Sequence, residues 1–364
     1  MHFVIVFLLA SVVAGMAGAA SYTVTDLQGG LAGPSFTPVS LNNRGQVAGT
    51  VTGSLGSRAV FWDPVAGASV LDILPAGYVA SHAIDINDRG QMLGQLQGAA
   101  GTITPFLWDA VGGYSLLASA PSGPVFSPAD LNGAGQVVGT AFGAGASQAF
   151  LWDPAQGLSF LPATAGPSRG LAINNSGQVL ARDGSQFLIW TAGGGVTPLG
   201  DLVVPEGIAS FGIDLNAAGM ILGATAYTSE VSAPFLWDPA HGLRGLGFYP
   251  GSTDTWPAAM NDLGQVVGIA GSFGRLCCTP FLWDPVTGYH DLNALVGAGA
   301  GGRIDNVVAI NDRGQILGQV WTGSGLSPVL LSPVEAPLPA AALALAGALA
   351  GLGAVRAAGR RAFT

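Results

Sequence analysis

The sharpest chemical signal in this sequence is the run Asp85-Ile86-Asn87-Asp88-Arg89-Gly90, which opens like a calcium loop with oxygen ligands at alternate positions. The fifth place, however, is the cation Arg89, and the twelfth is Leu96 where a bidentate glutamate belongs. Related runs carry Ser40, Ala172, Ala259 or Ala309 in place of the leading aspartate. The run therefore reads as a turn, and no metal or other cofactor is expected. Hydrolysis would need paired carboxylates or a nucleophile beside a base. His82, His241 and His290 occupy unequal places, and neither Gly-x-Ser-x-Gly nor Ser-x-Asp-x-Gly-x-Thr-Trp occurs, so no catalytic residue is assigned. Four residues stand out in stretches that depart from the repeat described below: Asp254 and Trp256 within 247–257, Arg275 within 271–278, and Arg303 at the end of 295–303. They are the candidate ligand contacts. Cys277 and Cys278 are adjacent, cannot staple distant parts of a chain, and fit no zinc spacing.

These residues hang on a sevenfold repeat. The phrase Leu41-Asn42-Asn43-Arg44-Gly45-Gln46-Val47-Ala48-Gly49 returns around Asn87, Asn132, Asn174, Asn216, Asn261 and Asn311, at spacings of 45, 45, 42, 42, 45 and 50. A second phrase keeps step: Phe61-Trp62-Asp63-Pro64, Phe106-Leu107-Trp108-Asp109, Phe150-Leu151-Trp152-Asp153, Phe235-Leu236-Trp237-Asp238 and Phe281-Leu282-Trp283-Asp284, with Phe187-Leu188-Ile189-Trp190 weaker and Pro328-Val329-Leu330-Leu331 weakest. A period near 45 with four short strands per unit is that of propeller blades. Each unit predicts a strand, a turn closed by the glycine of Asn-x-x-Gly, and three further strands in an antiparallel meander.

In Phe281-Leu282-Trp283, Phe and Trp point to one face of a strand and Leu to the other. Both faces are apolar, so each sheet must be covered on both sides, as a blade is by its neighbours. Trp62, Trp108, Trp152, Trp190, Trp237 and Trp283 then form a ring of buried anchors, whereas Trp256 and Trp321 fall outside the pattern and suit an exposed surface. The start, Tyr22-Thr23-Val24-Thr25-Asp26-Leu27, supplies the strand that the last unit lacks. The expected fold is all-β: a seven-bladed β-propeller of four-stranded antiparallel blades over 21–333, closed by its N-terminal strand.

Composition narrows the partners. Hydrophobic residues are 49% and charged residues 9% of the chain, with 57 glycines and a net charge of −9. There is no lysine. Nucleic acid is excluded, because phosphate binding needs a basic patch. Residues 4–14 form an apolar run followed by Ala17-Gly18-Ala19, so 1–20 reads as a secretory signal peptide. Residues 338–355 carry no charge and precede Arg356, Arg360 and Arg361, so a membrane-spanning stretch is expected within 334–364.

Two resemblances add to this reading. Ala336-Pro337-Leu338-Pro339-Ala340, the apolar run and the terminal arginines together resemble a PEP-CTERM sorting signal. That resemblance implies an exosortase-type enzyme acting at the motif Pro337, Leu338, Pro339 and Ala340. The paired phrases, best seen in Met260 to Gly268 with Phe281 to Pro285, resemble the HAF repeats of bacterial extracellular proteins, although the namesake histidine is replaced by Arg58, Thr104, Gln148 or Thr279. The family implies export and a propeller-like fold. The expected function is that of a cell-surface or extracellular-matrix propeller with a binding or structural role, partnered by polysaccharide or a surface protein. The alternative is a glycan-active hydrolase or lyase with its site at the mouth of the propeller channel.

Overall fold

Every Asn-x-x-Gly phrase closes a tight turn between two antiparallel strands. In the first, the Gly45 amide donates to the Asn42 carbonyl at 3.0 Å, and Gly45 takes φ +78°, a conformation open to glycine at no steric cost. The last glycine of the phrase has a different reason. At Gly268 a Cβ would stand 2.2 Å from the Trp256 carbonyl oxygen, so only hydrogen fits where the two strands meet. The Trp-Asp phrase caps the next turn: Asp63 Oδ1 accepts the Val65 and Ala66 amides at 2.9 and 3.0 Å. Its Oδ2 accepts Gln46 Nε2 at 2.9 Å, which links the two repeated phrases. That bond, followed by the two amides, holds the Asp63 carboxyl below its ordinary value.

The computed structural model describes residues 21–29, 31, 35–54, 56–117, 125–143, 145–162, 166–191, 195–228, 231–271 and 278–334. The expected signal peptide, the membrane stretch, the motif Pro337 to Ala340, Arg275 and Cys277 lie outside these residues. Thr23–Ser332 form one compact unit. Of the described residues outside it, the Val334 amide donates to the Ser21 carbonyl at 2.7 Å. Among the described residues, no helix is long and apolar enough to cross a membrane.

After β1 (Tyr22–Asp26), the chain builds seven blades in order. The first is β2 (Ser35–Leu41), β3 (Val47–Gly53), β4 (Gly56–Asp63) and β5 (Gly67–Val70). The second is β6 (Tyr78–Ile86), β7 (Met92–Gly98), β8 (Ile103–Asp109) and β9 (Gly113–Leu116). The third is β10 (Val125–Leu131), β11 (Val137–Phe142), β12 (Gln148–Asp153) and β13 (Gly157–Phe160). The fourth is β14 (Ser168–Ile173), β15 (Gln178–Asp183), β16 (Gln186–Thr191) and β17 (Gly195–Gly200). The fifth is β18 (Ala209–Leu215), β19 (Ile221–Thr228), β20 (Val231–Asp238) and β21 (Gly242–Gly245). The sixth is β22 (Asp254–Met260), β23 (Val266–Gly271), β24 (Thr279–Asp284) and β25 (Gly288–Asp291), followed by the short helix α1 (Leu292–Val296). The seventh is β26 (Arg303–Ile310), β27 (Ile316–Trp321) and β28 (Leu326–Pro333), with β1 pairing on β28 as the fourth strand. The first strand of each blade touches its counterpart in the next, and β26 touches β2, so the seven inner strands close a ring. This is the seven-bladed β-propeller that the repeat predicts.

The core lies between blades. Leu107 of the second blade packs in one cluster with Phe126, Val137 and Phe150 of the third, while Phe106 faces Ala48 and Ala59 of the first. The phenylalanines Phe106, Phe187, Phe235 and Phe281 are fully buried. The tryptophans are not their equals, which corrects the expected ring of buried anchors. Only Trp62 is buried; Trp108, Trp152, Trp190, Trp237 and Trp283 keep part of their surface. The register explains this, since Trp283 pairs with Val266 beside the Asn261 turn, whereas Phe281 pairs with Gly268 in mid-blade. Phe281→Ala is therefore expected to lower stability by about 3–5 kcal/mol, and Trp283→Ala by clearly less. Urea unfolding of the two variants compares them, and equal losses would contradict this division.

Candidate functional site

The two ends of the central channel are built on opposite principles. At one end the repeated asparagines form a closed chain of hydrogen bonds. Asn42 Nδ2 donates to the Asn87 carbonyl at 2.9 Å, Asn87 to Asn132 at 3.0 Å, Asn132 to Asn174 at 3.2 Å and Asn174 to Asn216 at 3.0 Å. Asn216 donates to Asn261 at 3.4 Å, Asn261 to Asn311 at 3.1 Å, and Asn311 back to Asn42 at 2.9 Å. All seven are buried. The residues just after them surround a cavity of about 180 Å³. Most are also engaged around the ring: the Asn43 amide donates to Asp88, that of Ala217 to Asp262, that of Asp262 to Asp312, and that of Asp312 to Asn43. Burial raises the Asp262 carboxyl, opposed by the Ala217 amide and reinforced by the charges of Asp312 and Asp88. This end is a fastening.

Two residues before the asparagines, three acids reach across to the next inner strand. Asp85 Oδ2 accepts the Leu131 amide at 3.0 Å, Asp130 Oδ2 accepts Ile173 at 2.7 Å, and Asp214 Oδ2 accepts Met260 at 3.0 Å. Burial pushes the Asp130 carboxyl well above its ordinary value, helped by the Asp85 charge and a hydrogen bond between the two carboxyl groups. Burial also raises Asp214, against the Met260 and Leu215 amides and with the Asp85 charge. Ring closure thus gathers these three acids inside the channel, where they join one blade to another.

The other end varies. Each inner strand runs toward its asparagine, so the residue five places earlier lies roughly 15 Å away along the channel. At that position the blades carry Thr37, His82, Ser127, Arg169, Phe211, Trp256 and Asn306, which are seven different residue types. Thr37, Arg169, Phe211 and Trp256 are exposed, and the rest are half-buried. Neighbouring members touch: the Phe211 and Trp256 rings lie 5.8 Å apart. Arg169 and Phe211 line a cavity of about 440 Å³ together with Arg182 and Phe187. A position that only held the fold together would repeat, as the asparagines do.

Of the residues singled out from sequence, Trp256 belongs to this end, and it is a strand residue of β22 rather than part of a loop. Asp254 is also in β22, and its Oδ1 accepts the Ser232 amide at 2.9 Å, so it serves to hold the fifth blade to the sixth. Arg303 opens β26, pairs with Asp305, and lines a different cavity with Cys278 and Asp291. Arg169, Arg182 and Phe211 had escaped notice. Aligning the seven repeats and looking for the most varied column of the first strand finds Arg169 and Phe211; Arg182 then follows as Arg169's partner across the sheet.

No protein-family model matches the chain, and no curated protein matches it. Solved structures of similar fold do exist. A streptogramin B lyase is similar at 10% identity and TM-score 0.55, covering 86% of this chain and 98% of its own. An oligogalacturonate lyase in complex with manganese gives 10% identity and TM-score 0.55 over 87% of this chain and 99% of its own. An acylaminoacyl peptidase from Pyrococcus horikoshii gives 13% and 0.53 over 82% of this chain and 53% of its own. The resemblances to HAF repeats and to a PEP-CTERM signal are therefore not upheld, since no family model supports either and the similar structures are lyases and peptidases. At such identities the likeness establishes the fold, a seven-bladed propeller.

Proposed function

We propose that the varied channel mouth is the working surface of this protein, and that it acts there on a glycan as a lyase or hydrolase. One observation carries the proposal: seven equivalent positions hold seven different side chains at that mouth, while the opposite end repeats one asparagine seven times. A structural scaffold has no use for such variety. The row combines aromatic faces at Phe211 and Trp256, on which sugar rings stack, with the hydroxyl and amide groups of Thr37, Ser127 and Asn306. His82, in the same row, is the candidate for proton transfer. The lyases of similar fold, matched nearly end to end, support an enzyme over a passive scaffold. Binding without turnover is the second reading. It is favoured by Asp85, Asp130 and Asp214 each spending oxygens on backbone amides, which makes them poor acid–base pairs for hydrolysis.

The test is a panel of oligosaccharides scored for binding and for unsaturated or reducing-end products. Phe211→Ala should weaken binding by about tenfold with little change in melting temperature, because its side chain is exposed. His82→Ala should abolish product formation and leave binding in place. Unchanged binding in Phe211→Ala would remove the mouth as the site, and product formation by His82→Ala would remove His82 from the chemistry.

A further inference from the structure

Within that mouth, two arginines stand together with no carboxylate partner among the described residues. Arg169 and Arg182 face each other directly across the β14–β15 pair. Like charges in directly opposed positions destabilise a sheet. Among the described residues the ion pairs are His241 with Asp238 and Arg303 with Asp305, so no carboxylate neutralises either arginine. Phe187 follows on the same face, opposite Arg182 on β16, and the Arg182 guanidinium sits 5.5 Å from its ring centre. Arg182 Nε is buried without a hydrogen-bond acceptor among the described residues. A buried donor left unpaired costs stability comparable to a lost hydrogen bond, so the arginine is not placed here to stabilise the empty fold.

The space for that partner exists. Arg169 and Arg182 are the charged residues lining the cavity of about 440 Å³ between the fourth and fifth blades. That volume falls within the usual ligand-pocket range of roughly 300–1,000 Å³. Its fifth-blade wall is Phe211 with Gly212, and a Cβ at Gly212 would stand 2.9 Å from the Phe187 ring, so even an alanine would press on the pocket wall. In a chain of net charge −9, a paired cationic pocket is a local reversal of the overall field.

We propose that Arg169 and Arg182 form a carboxylate subsite for an acidic sugar residue, whose ring lies against Phe211 and the adjoining Trp256. The proposal rests on the reading of this mouth as a glycan site and names the class of glycan. A guanidinium presents a planar fork that matches a carboxylate in a bidentate way, and two of them surround it from both sides. The aromatic pair beside them supplies the apolar face that a free inorganic anion would not need. The anion also removes the repulsion between the arginines, so binding gains what the empty pocket lacks.

Calorimetric titration with an oligogalacturonate, its methyl ester and inorganic phosphate tests this on the wild type, Arg182→Gln, Arg169→Gln/Arg182→Gln and Phe211→Ala. The acid should bind at least about tenfold more tightly than the ester. The double variant should bind acid and ester alike, with a melting temperature equal to or above that of the wild type. Phe211→Ala should weaken both ligands. Equal affinity for acid and ester in the wild type, or a preference that survives the double substitution, overturns the subsite; if Phe211→Ala still weakens both ligands, the mouth reading stands. Acid binding lost in the double variant but untouched in Phe211→Ala overturns the mouth reading instead, and keeps the arginine pair. Phosphate bound at the arginines with no sugar bound overturns the acidic-sugar assignment.

Discussion

Removing residues 22–27 should open the ring and cost most of the protein's stability. These residues include all of β1, which lies beside β28 as the outer strand of the last blade. Just beyond it, the Leu27 amide donates to the Pro328 carbonyl at 3.0 Å. Leu27 has no exposed surface, and it packs with Phe36, Leu41 and Val60 of the first blade and Leu317 and Leu330 of the seventh. Truncating one buried leucine costs about 2–5 kcal/mol by itself. The deletion also strips β28 of its partner, leaving Val329, Leu330 and Leu331 beside an unpaired strand edge, which is a template for association with other chains. Thermal unfolding and light scattering should together report a large drop in melting temperature and the growth of oligomers. A truncated protein that stays monomeric and melts as the full chain does would show that the ring closes without β1.

The same closure explains what the sequence discloses and what it hides. Blade number, turn chemistry and the closing strand are legible because each repeat must solve the same local problem. Asn42 and Gly45 recur in every repeat because one hydrogen-bond set makes the turn there, and Gln46 and Asp63 recur wherever their side chains join the two phrases, with Met220, Thr191 and Ser332 as the departures. The tryptophans mislead because recurrence marks a shared position, not its depth; Trp283 sits two residues nearer the turn than the buried Phe281. The site is harder to read for the opposite reason. Asp254 and Arg303 attract attention by breaking the repeat along the chain, yet each has a local partner. Arg169, Phe211 and Trp256 are each a whole blade apart in sequence and become neighbours only when blades are placed side by side. Their signal is a column across repeats rather than a motif along one.

Asn311→Ala is the single substitution expected to be most damaging outside the aromatic core. Its side chain uses every donor and acceptor it has. Nδ2 donates to the Asn42 carbonyl at 2.9 Å and to Gln315 Oε1 at 2.9 Å, while Oδ1 accepts the Arg313 and Gln315 amides at 3.1 and 2.9 Å. Alanine leaves the Arg313 and Gln315 amides without their acceptor and the buried Asn42 carbonyl with only the Gly45 amide, at the seam where the last blade meets the first. Summing net losses of about 0.5–1.5 kcal/mol per bond and the added cost of unsatisfied groups, the expected loss is about 3–5 kcal/mol. Asn216→Ala should cost less, because Met220 stands where the other repeats place glutamine, and its bond to the next carbonyl is the longest of the seven at 3.4 Å. Asn311→Asp keeps the shape and the two accepted amides but loses both donated bonds, and should fall between the two. Chemical denaturation of the three variants gives the order. If Asn311→Ala lies within about 1 kcal/mol of the wild type, the asparagine ring follows from the turns and does not fasten the blades.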